Sequence, residues 1–192
     1  MDYQDKLARF LENHDEPRAA STFPPEVHAA ATALTFLSPG LRFFHQGQFA
    51  GRRTRISAHL VRAPEEAVDG ALAQFYDRLL AVLRQPLVRD GNWSLLECVP
   101  VWADNTTSDN FIAFRWVRAP HEWMFVAVNY SLLQSQCFVR TPFTELGERT
   151  VRLQDQLSPA VYDRPADELR GRGLFLDMPP WGYHVFDVQR IE

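Results

Sequence analysis

The spacing of apolar residues changes once along the chain, at residues 86–91, and this change limits the folds that the chain can adopt. Before it, the apolar runs Leu7 to Glu12 and Leu41 to His45 alternate with two segments of helical periodicity. The order strand, helix, strand, helix is typical of a parallel sheet with its helices. After residue 91 come short aromatic and β-branched runs separated by turn residues, which predict antiparallel strands.

Two helices are predicted in the first part. Pro24 and Pro25 open the first helix, because proline is tolerated in a first helical turn, and Ser38-Pro39-Gly40 ends it. The second helix is predicted from about Ala67 to Leu83, where apolar residues recur at helical spacing.

Six strands are predicted in the second part. They cover Trp93 to Val99, Asn110 to Val117, Trp123 to Tyr130, Gln136 to Val139, Thr150 to Leu153 and Gly182 to Val188. The two cysteines of this part, Cys98 and Cys137, fit neither a disulfide-dense scaffold nor a CxxC metal site, and we expect free thiols.

These patterns predict a fold class of α/β plus all-β, in a chain whose 46% hydrophobic content is that of an ordinary globular protein. Residues 1–89 form the α/β segment and residues 90–192 an antiparallel β-sandwich domain. A two-stranded parallel sheet cannot cover both of its faces, because parallel sheets continue into further strands. A complete (β/α)₈ barrel needs about 250 residues, so the first part is expected to be a piece of something larger.

A group of polar residues, Asn13-His14-Asp15, lies where the first predicted strand gives way to a loop. In α/β architectures the carboxyl ends of strands are where functional sites are built. The tripeptide alone is more typical of a turn, in which Asn and Asp side chains satisfy backbone groups. Both interpretations stay open at this point.

The surrounding residues carry a resemblance to a known family. Residues 10–18, which read FLENHDEPR, resemble the motif at the end of barrel strand seven in the α-amylase family, glycoside hydrolase family 13. The segment from Ser38 to Gln48 resembles its turn and strand eight, which ends in a Gly-Gln or Gly-Asp pair. Leu176 to Val188 is similar to the closing strand of its C-terminal β-domain. One departure is Phe49, where the family often carries an acidic residue.

The resemblance implies that residues 1–89 are strands seven and eight of a (β/α)₈ barrel with their helices. It implies a parent enzyme that cleaves or transfers α-glucosidic bonds with retention. Asp15 then stabilises the oxocarbenium-like transition state, while His14, Asn13 and Arg18 bind the substrate.

Retaining cleavage also needs a nucleophile and a general acid. In the family these carboxyl groups come from strands four and five, and none of Glu12, Glu16 and Glu26 matches them. We therefore expect the chain alone to be inactive. Two readings of another class stay open: a noncatalytic α-glucan-binding module, and one chain of a split enzyme.

The expected ligand is an α-glucan or a maltooligosaccharide. We expect no cofactor and no metal, since the histidines lack ligand spacing. A net charge of −4 argues against nucleic acid. The absence of a long apolar run and of a signal peptide predicts no membrane partner and a cytoplasmic location.

Self-association, or pairing with a complementing N-terminal barrel chain, is expected from the open strand edges. The five tryptophans of the second part either fill the sandwich core or stack on sugar rings. Arg52, Arg53 and Arg55 belong either to a solvated loop or to an anion site.

Overall fold

The computed structural model describes residues 3–57, 59–60, 62–119, 122–140 and 150–191. The chain divides into two compact units, Met1–Leu83 and Arg84–Glu192, which we call the first and second units. Within the described ranges, no helix has the length and apolarity needed to cross a membrane. The same ranges hold no group of three or more His, Cys, Asp or Glu side chains placed to bind a metal ion.

The first unit follows the predicted order of strands and helices. After a 3₁₀ turn at Gln4–Lys6, its elements are β1 (Ala8–Arg9), α1 (Ala19–Thr22), α2 (Pro25–Leu37), β2 (Leu41–Arg42) and α3 (Gly70–Leu83). The two strands pair in parallel, Ala8 with Leu41 and Arg9 with Arg42. They are shorter than the predicted runs, because each strand has one hydrogen-bonded neighbour among the described residues.

The helix bounds follow from local chemistry. Pro25 occupies the first position of α2, as predicted. Gly40, just after α2, has a φ of +119°, and a Cβ there would lie 2.4 Å from the Leu7 carbonyl oxygen, so the turn requires glycine. α3 begins three residues later than predicted, because the carboxylate of Asp69 accepts a hydrogen bond from Leu72 N at 3.0 Å and caps the helix.

The second unit is built of nine strands and two short helices among the described residues. They are α4 (Pro86–Asp90), β3 (Asn92–Leu96), β4 (Cys98–Val99), β5 (Phe111–Ala119), β6 (Glu122–Asn129), β7 (Ser135–Val139), β8 (Thr150–Asp155), β9 (Val161–Pro165), α5 (Ala166–Gly171), β10 (Leu174–Met178) and β11 (Tyr183–Ile191). A 3₁₀ turn at Thr106–Asn110 precedes β5.

These strands form two sheets that share one core. The larger sheet has the order β3-β5-β6-β11-β8-β9 and the smaller has the order β10-β7-β4, and every described pairing in both is antiparallel. The core between them takes side chains from both sheets, among them Phe125, Phe186, Leu153, Cys137 and Leu176. The predicted antiparallel architecture is confirmed, and both cysteines are free thiols.

The strand and helix patterns missed the strands β9 and β10 and the short helices α4 and α5 of the second unit. β9 ends in Pro165 and is largely exposed, as suits an edge strand, so it lacks the apolar alternation of a buried strand. β10 alternates buried and exposed residues but was read only as the approach to the last strand. The tryptophans divide: Trp116 and Trp123 are buried, whereas Trp102 is exposed.

The helix α4 lies within the second unit, N-terminal to the sandwich strands. It packs on β5 and β6 through the buried side chains of Leu87 and Val88. Burying a side chain of this size stabilises a fold by about 1.5–3 kcal/mol. The sandwich therefore gains from residues that precede its first strand.

We predict that a fragment of residues 84–192 folds cooperatively on its own, with dispersed amide signals in its NMR spectrum. A fragment starting at Gly91 lacks Leu87 and Val88 and will unfold at lower denaturant concentration. All five tryptophans lie in this unit, so their fluorescence reports the transition. Equal midpoints for the two fragments, or undispersed signals in the longer one, would contradict the prediction.

Candidate active site

The loop after β1 is folded around the side chain of Asn13. Its Oδ1 accepts hydrogen bonds from the backbone N–H of Asp15 at 2.7 Å and of Glu16 at 3.0 Å. This is the local turn that Asn favours, because its amide oxygen imitates a backbone carbonyl. The turn holds the backbone that carries His14 and Asp15.

His14 and Asp15 project from this turn into solvent. Their side chains are 66% and 76% exposed, and Nε2 of His14 lies 3.2 Å from Oδ2 of Asp15. An exposed pair of this kind contributes little to stability. Both side chains are therefore free to contact a ligand without loss to the fold.

Beneath the turn lies a buried pair of opposite charges. Oε1 of Glu12 is 2.9 Å from Nη2 of Arg18, and the two side chains are 1% and 5% exposed. The angle of this contact is not that of a hydrogen bond, so Oε1 is matched in charge but receives no hydrogen bond from the described residues. The other oxygen, Oε2, accepts from the backbone N–H of Ala19 at 2.7 Å.

Arg18 joins three separate segments of the first unit. Besides Glu12, its guanidinium donates to Nδ1 of His45 at 2.7 Å, to the carbonyl oxygen of Gln46 at 3.0 Å and to that of Arg52 at 3.3 Å. Arginine only donates, so Nδ1 of His45 is the acceptor and the neutral ring carries its proton on Nε2. Arg18 thus sets the hydrogen-bonding character that His45 presents.

Burial controls the titration of these groups. It raises the pKa of Glu12 above 4.5, because desolvation outweighs the Ala19 N–H and the charge of Arg18, which lower it. The pKa of His45 is lowered from 6.5 by desolvation first and then by the positive charges of Arg18 and His14.

A second polar network supports the loop after β2. Gln48 is buried, and its Nε2 donates to the hydroxyl of Tyr76 at 2.8 Å while its Oε1 accepts from the backbone N–H of His45 at 3.2 Å. Nε2 of His28 lies 3.0 Å from the same hydroxyl. Burial raises the pKa of Tyr76 and lowers that of His28. The network ties this loop to α2 and α3.

Two clefts open beside the exposed pair. One of about 310 Å³ is lined in part by His14, His45, Arg52 and Arg62. The other, of about 670 Å³, is lined by His14, Asp15, Arg55, Ser57 and His59. His14 lies on both clefts, and their walls are rich in donors.

The site residues predicted from the sequence therefore differ in their exposure to solvent. His14 and Asp15 are exposed together, whereas the side-chain Oδ1 of Asn13 is used within the turn and Arg18 is almost wholly buried. Their roles toward a substrate stay predictions. Sequence reasoning missed the buried partnership of Glu12 and Arg18 with His45. A glutamate inside the apolar run FLE was a signal, because a buried carboxylate needs a partner.

We predict that Arg18→Ala destabilises the first unit by about 3–5 kcal/mol, since the carboxylate of Glu12 is left buried without its cation. Glu12→Gln in the same chain should recover part of that loss, because a neutral amide needs no cation. Hydrogen exchange of the α2 amides measures the free energy of opening of this unit. Strictly additive effects of the two substitutions would contradict the pairing.

A pH dependence follows from His45. A lowered pKa means that the unfolded chain takes up the proton more readily, so the stability contribution is present above pH 6.5 and is lost as the pH falls through the folded-state pKa. His45→Gln should remove this part of the slope, while His28 retains its own. His59→Gln, on the wall of the larger cleft, is the matched control. The same slope in the wild type and in His45→Gln would contradict the assignment.

Comparison of the chain with known proteins shows which solved structures share its fold. No family model and no curated protein matches the chain. Three solved structures are similar to 96% of the chain. A maltogenic α-amylase of Thermotoga neapolitana has a TM-score of 0.70 at 14% identity, and an α-amylase of Geobacillus thermoleovorans, complexed with acarbose, has 0.69 at 15%. A debranching enzyme of Nostoc punctiforme has 0.64 at 16%.

The match covers nearly all of this chain but only part of each solved structure. The chain covers 41%, 39% and 34% of those three structures, so it spans about two fifths of their length or less. At these identities the likeness concerns the fold. The resemblance predicted from the motifs is confirmed at that level: this chain has the fold of a part of the α-amylases of glycoside hydrolase family 13.

Proposed function

We propose that the chain is the C-terminal portion of a retaining glycoside hydrolase or transglycosylase that acts on α-glucans. The first unit would supply strands seven and eight of a (β/α)₈ barrel, and the second would be the β-domain. The parallel pairing of β1 with β2, with helices between and after them, supports the first part of this proposal. The fold likeness to α-amylases supports the whole.

The observation that carries the proposal is the exposed carboxylate of Asp15 beside His14, just beyond the carboxyl end of β1. A turn built on Asn13 holds the backbone that carries this carboxylate, and the buried ion pair of Glu12 and Arg18 lies at the base of the turn. A fixed negative charge stabilises the positive charge that develops on a sugar ring during glycosidic cleavage. His14 would hydrogen-bond the hydroxyls of the same sugar.

Arg18 takes a different part in this proposal from the one that the motif alone implies. Its guanidinium is nearly saturated by Glu12, His45 and two backbone carbonyls. We infer that it acts mainly as a positioning residue for His45. Asn13 acts in the same way on Asp15.

Cleavage with retention needs two further carboxyl groups about 5–5.5 Å apart. Glu12 is buried against Arg18, so it is no candidate for attack on a sugar. Glu16 and Glu26 are exposed, on the loop and on α2. We therefore assign nucleophile and general acid to the remainder of a barrel that the described residues do not include.

One observation favours completion of the barrel by further βα units, whether they belong to the same polypeptide or to a second chain. Phe10 and Phe43 are both exposed, with ring centroids 6.4 Å apart, and Leu41 on β2 is 70% exposed. Apolar side chains beside an unpaired parallel strand edge are a template for association. The partner would be a segment with the missing βα units, or a second copy of this chain. A noncatalytic α-glucan-binding role remains the other alternative.

We predict that the 192-residue chain binds acarbose through the first unit but releases no reducing sugar from maltoheptaose. Hydroxyls of acarbose would donate to the Asp15 carboxylate, so Asp15→Asn should weaken binding about tenfold or more, as loss of a charge-assisted hydrogen bond does. The ring signals of His14 in an NMR titration report this site. Reducing-sugar release that disappears in Asp15→Asn would overturn the inactivity of the chain.

The matched control is Asp77→Asn. Asp77 is exposed on α3 and lines neither cleft, so its substitution makes the same charge change without touching the site. It should leave the binding constant unaltered. Equal losses in Asp15→Asn and Asp77→Asn would mean that net charge alone attracts the ligand, and the proposed role of Asp15 would fail.

A further inference from the structure

A separate pocket of about 190 Å³ lies in the second unit, between β9 and β10 and the start of β11. Among the described strands, β9 and β10 are the edges of the two sheets, and the pocket opens between these edges. Its volume is below the roughly 300 Å³ of a drug-sized ligand site. It is large enough for one ring-sized group.

Aromatic rings form much of this pocket. The rings of His184 and Phe186 stack at 4.7 Å with an interplanar angle of 20°. Tyr162 stands edge-on to both, at 5.8 and 5.7 Å. Tyr162 is 36% exposed, so it presents ring surface to an incoming ligand.

A buried carboxylate fixes the orientation of His184. The side chain of Asp155 is fully buried, and its oxygens accept from the N–H of Leu157 at 2.9 Å, the N–H of Val185 at 3.3 Å and the hydroxyl of Ser158 at 2.9 Å. Oδ2 lies 2.7 Å from Nδ1 of His184. Nδ1 therefore donates to the carboxylate, and in the neutral ring Nε2 is left as an acceptor toward the pocket.

Further polar groups complete the lining. Asp177 also lines the pocket, but its carboxylate lies on the outer face of β10, where the side-chain amides of Gln134 and Gln136 hold it. The guanidinium of Arg164 lies 5.6 Å from the centroid of the Tyr162 ring, on its face. The pocket thus combines aromatic surface, an imidazole acceptor and a guanidinium.

We propose that this pocket binds a single pyranose ring of a saccharide, as a second carbohydrate site distinct from Asp15. A pyranose has apolar C–H faces that pack on aromatic rings and a rim of hydroxyls that both donate and accept. Nε2 of His184 accepts from hydroxyls, and Arg164 donates to them. The choice of a glucosyl ring rests on the proposed function, whereas the binding of a ring does not.

The experiment is an NMR titration of the full chain with maltose, following the His184 and Tyr162 ring signals. Both signals should shift in a saturable manner. Tyr162→Ala should lower the affinity about tenfold through loss of the aromatic contact, while Tyr162→Phe should retain it. Trp102→Ala, which removes an exposed aromatic ring outside the pocket, is the matched control and should leave the affinity unchanged.

Sorbitol provides a second arm, because it carries hydroxyls without a ring. It should not shift the Tyr162 signal at the concentration at which maltose saturates. Equal shifts with sorbitol, no shift with maltose, or unaltered affinity in Tyr162→Ala would each overturn the proposal. Asp15→Asn should leave these signals unaffected, so failure at this pocket is distinguishable from failure of the site in the first unit.

Discussion

Moving a carboxylate and a guanidinium together out of water costs several kcal/mol per ion, and the first unit carries such a pair in Glu12 and Arg18. The desolvation is offset by the contact between the charges, by the Ala19 N–H on one side and by the His45 ring and two carbonyls on the other. These partners lie at residue 19, at residues 45–46 and at residue 52. The pair is therefore satisfied only when all the segments are in place.

This constraint explains why the groups most open to a ligand contribute little to the fold. His14 and Asp15 extend from a turn whose backbone is held by Asn13 above and by Glu12 and Arg18 below. Substituting an exposed carboxylate costs the fold little stability, since water screens its charge. The first unit thus separates the charges that hold the loop from the charge that faces solvent, and a site of this kind can change its ligand contacts without losing its scaffold.

The sequence predicts the features that depend on local interactions and misses those that depend on contacts between distant residues. The bounds of α2 follow from Pro25 and from the turn that needs Gly40, both local effects. β9 could not be recognised, because an exposed edge strand has no apolar alternation. The contact of Arg18 with His45 joins residues 27 positions apart, and no spacing rule reveals it. Gln48 was expected at the end of a strand, but its burial against Tyr76 depends on how α3 packs.

Each unit holds an imidazole at a cleft through a charged side chain on Nδ1, but the donor and acceptor nitrogens of the two rings are reversed. In the second unit a buried carboxylate, Asp155, contacts His184 directly, so Nδ1 donates and Nε2 accepts. In the first unit Arg18 stands between Glu12 and His45, so Nδ1 accepts and Nε2 donates. A hydroxyl can satisfy either ring, because it both donates and accepts. The imidazoles alone therefore cannot make the clefts selective, and selectivity must come from their neighbours: arginines and Asp15 in the first unit, and aromatic rings in the second.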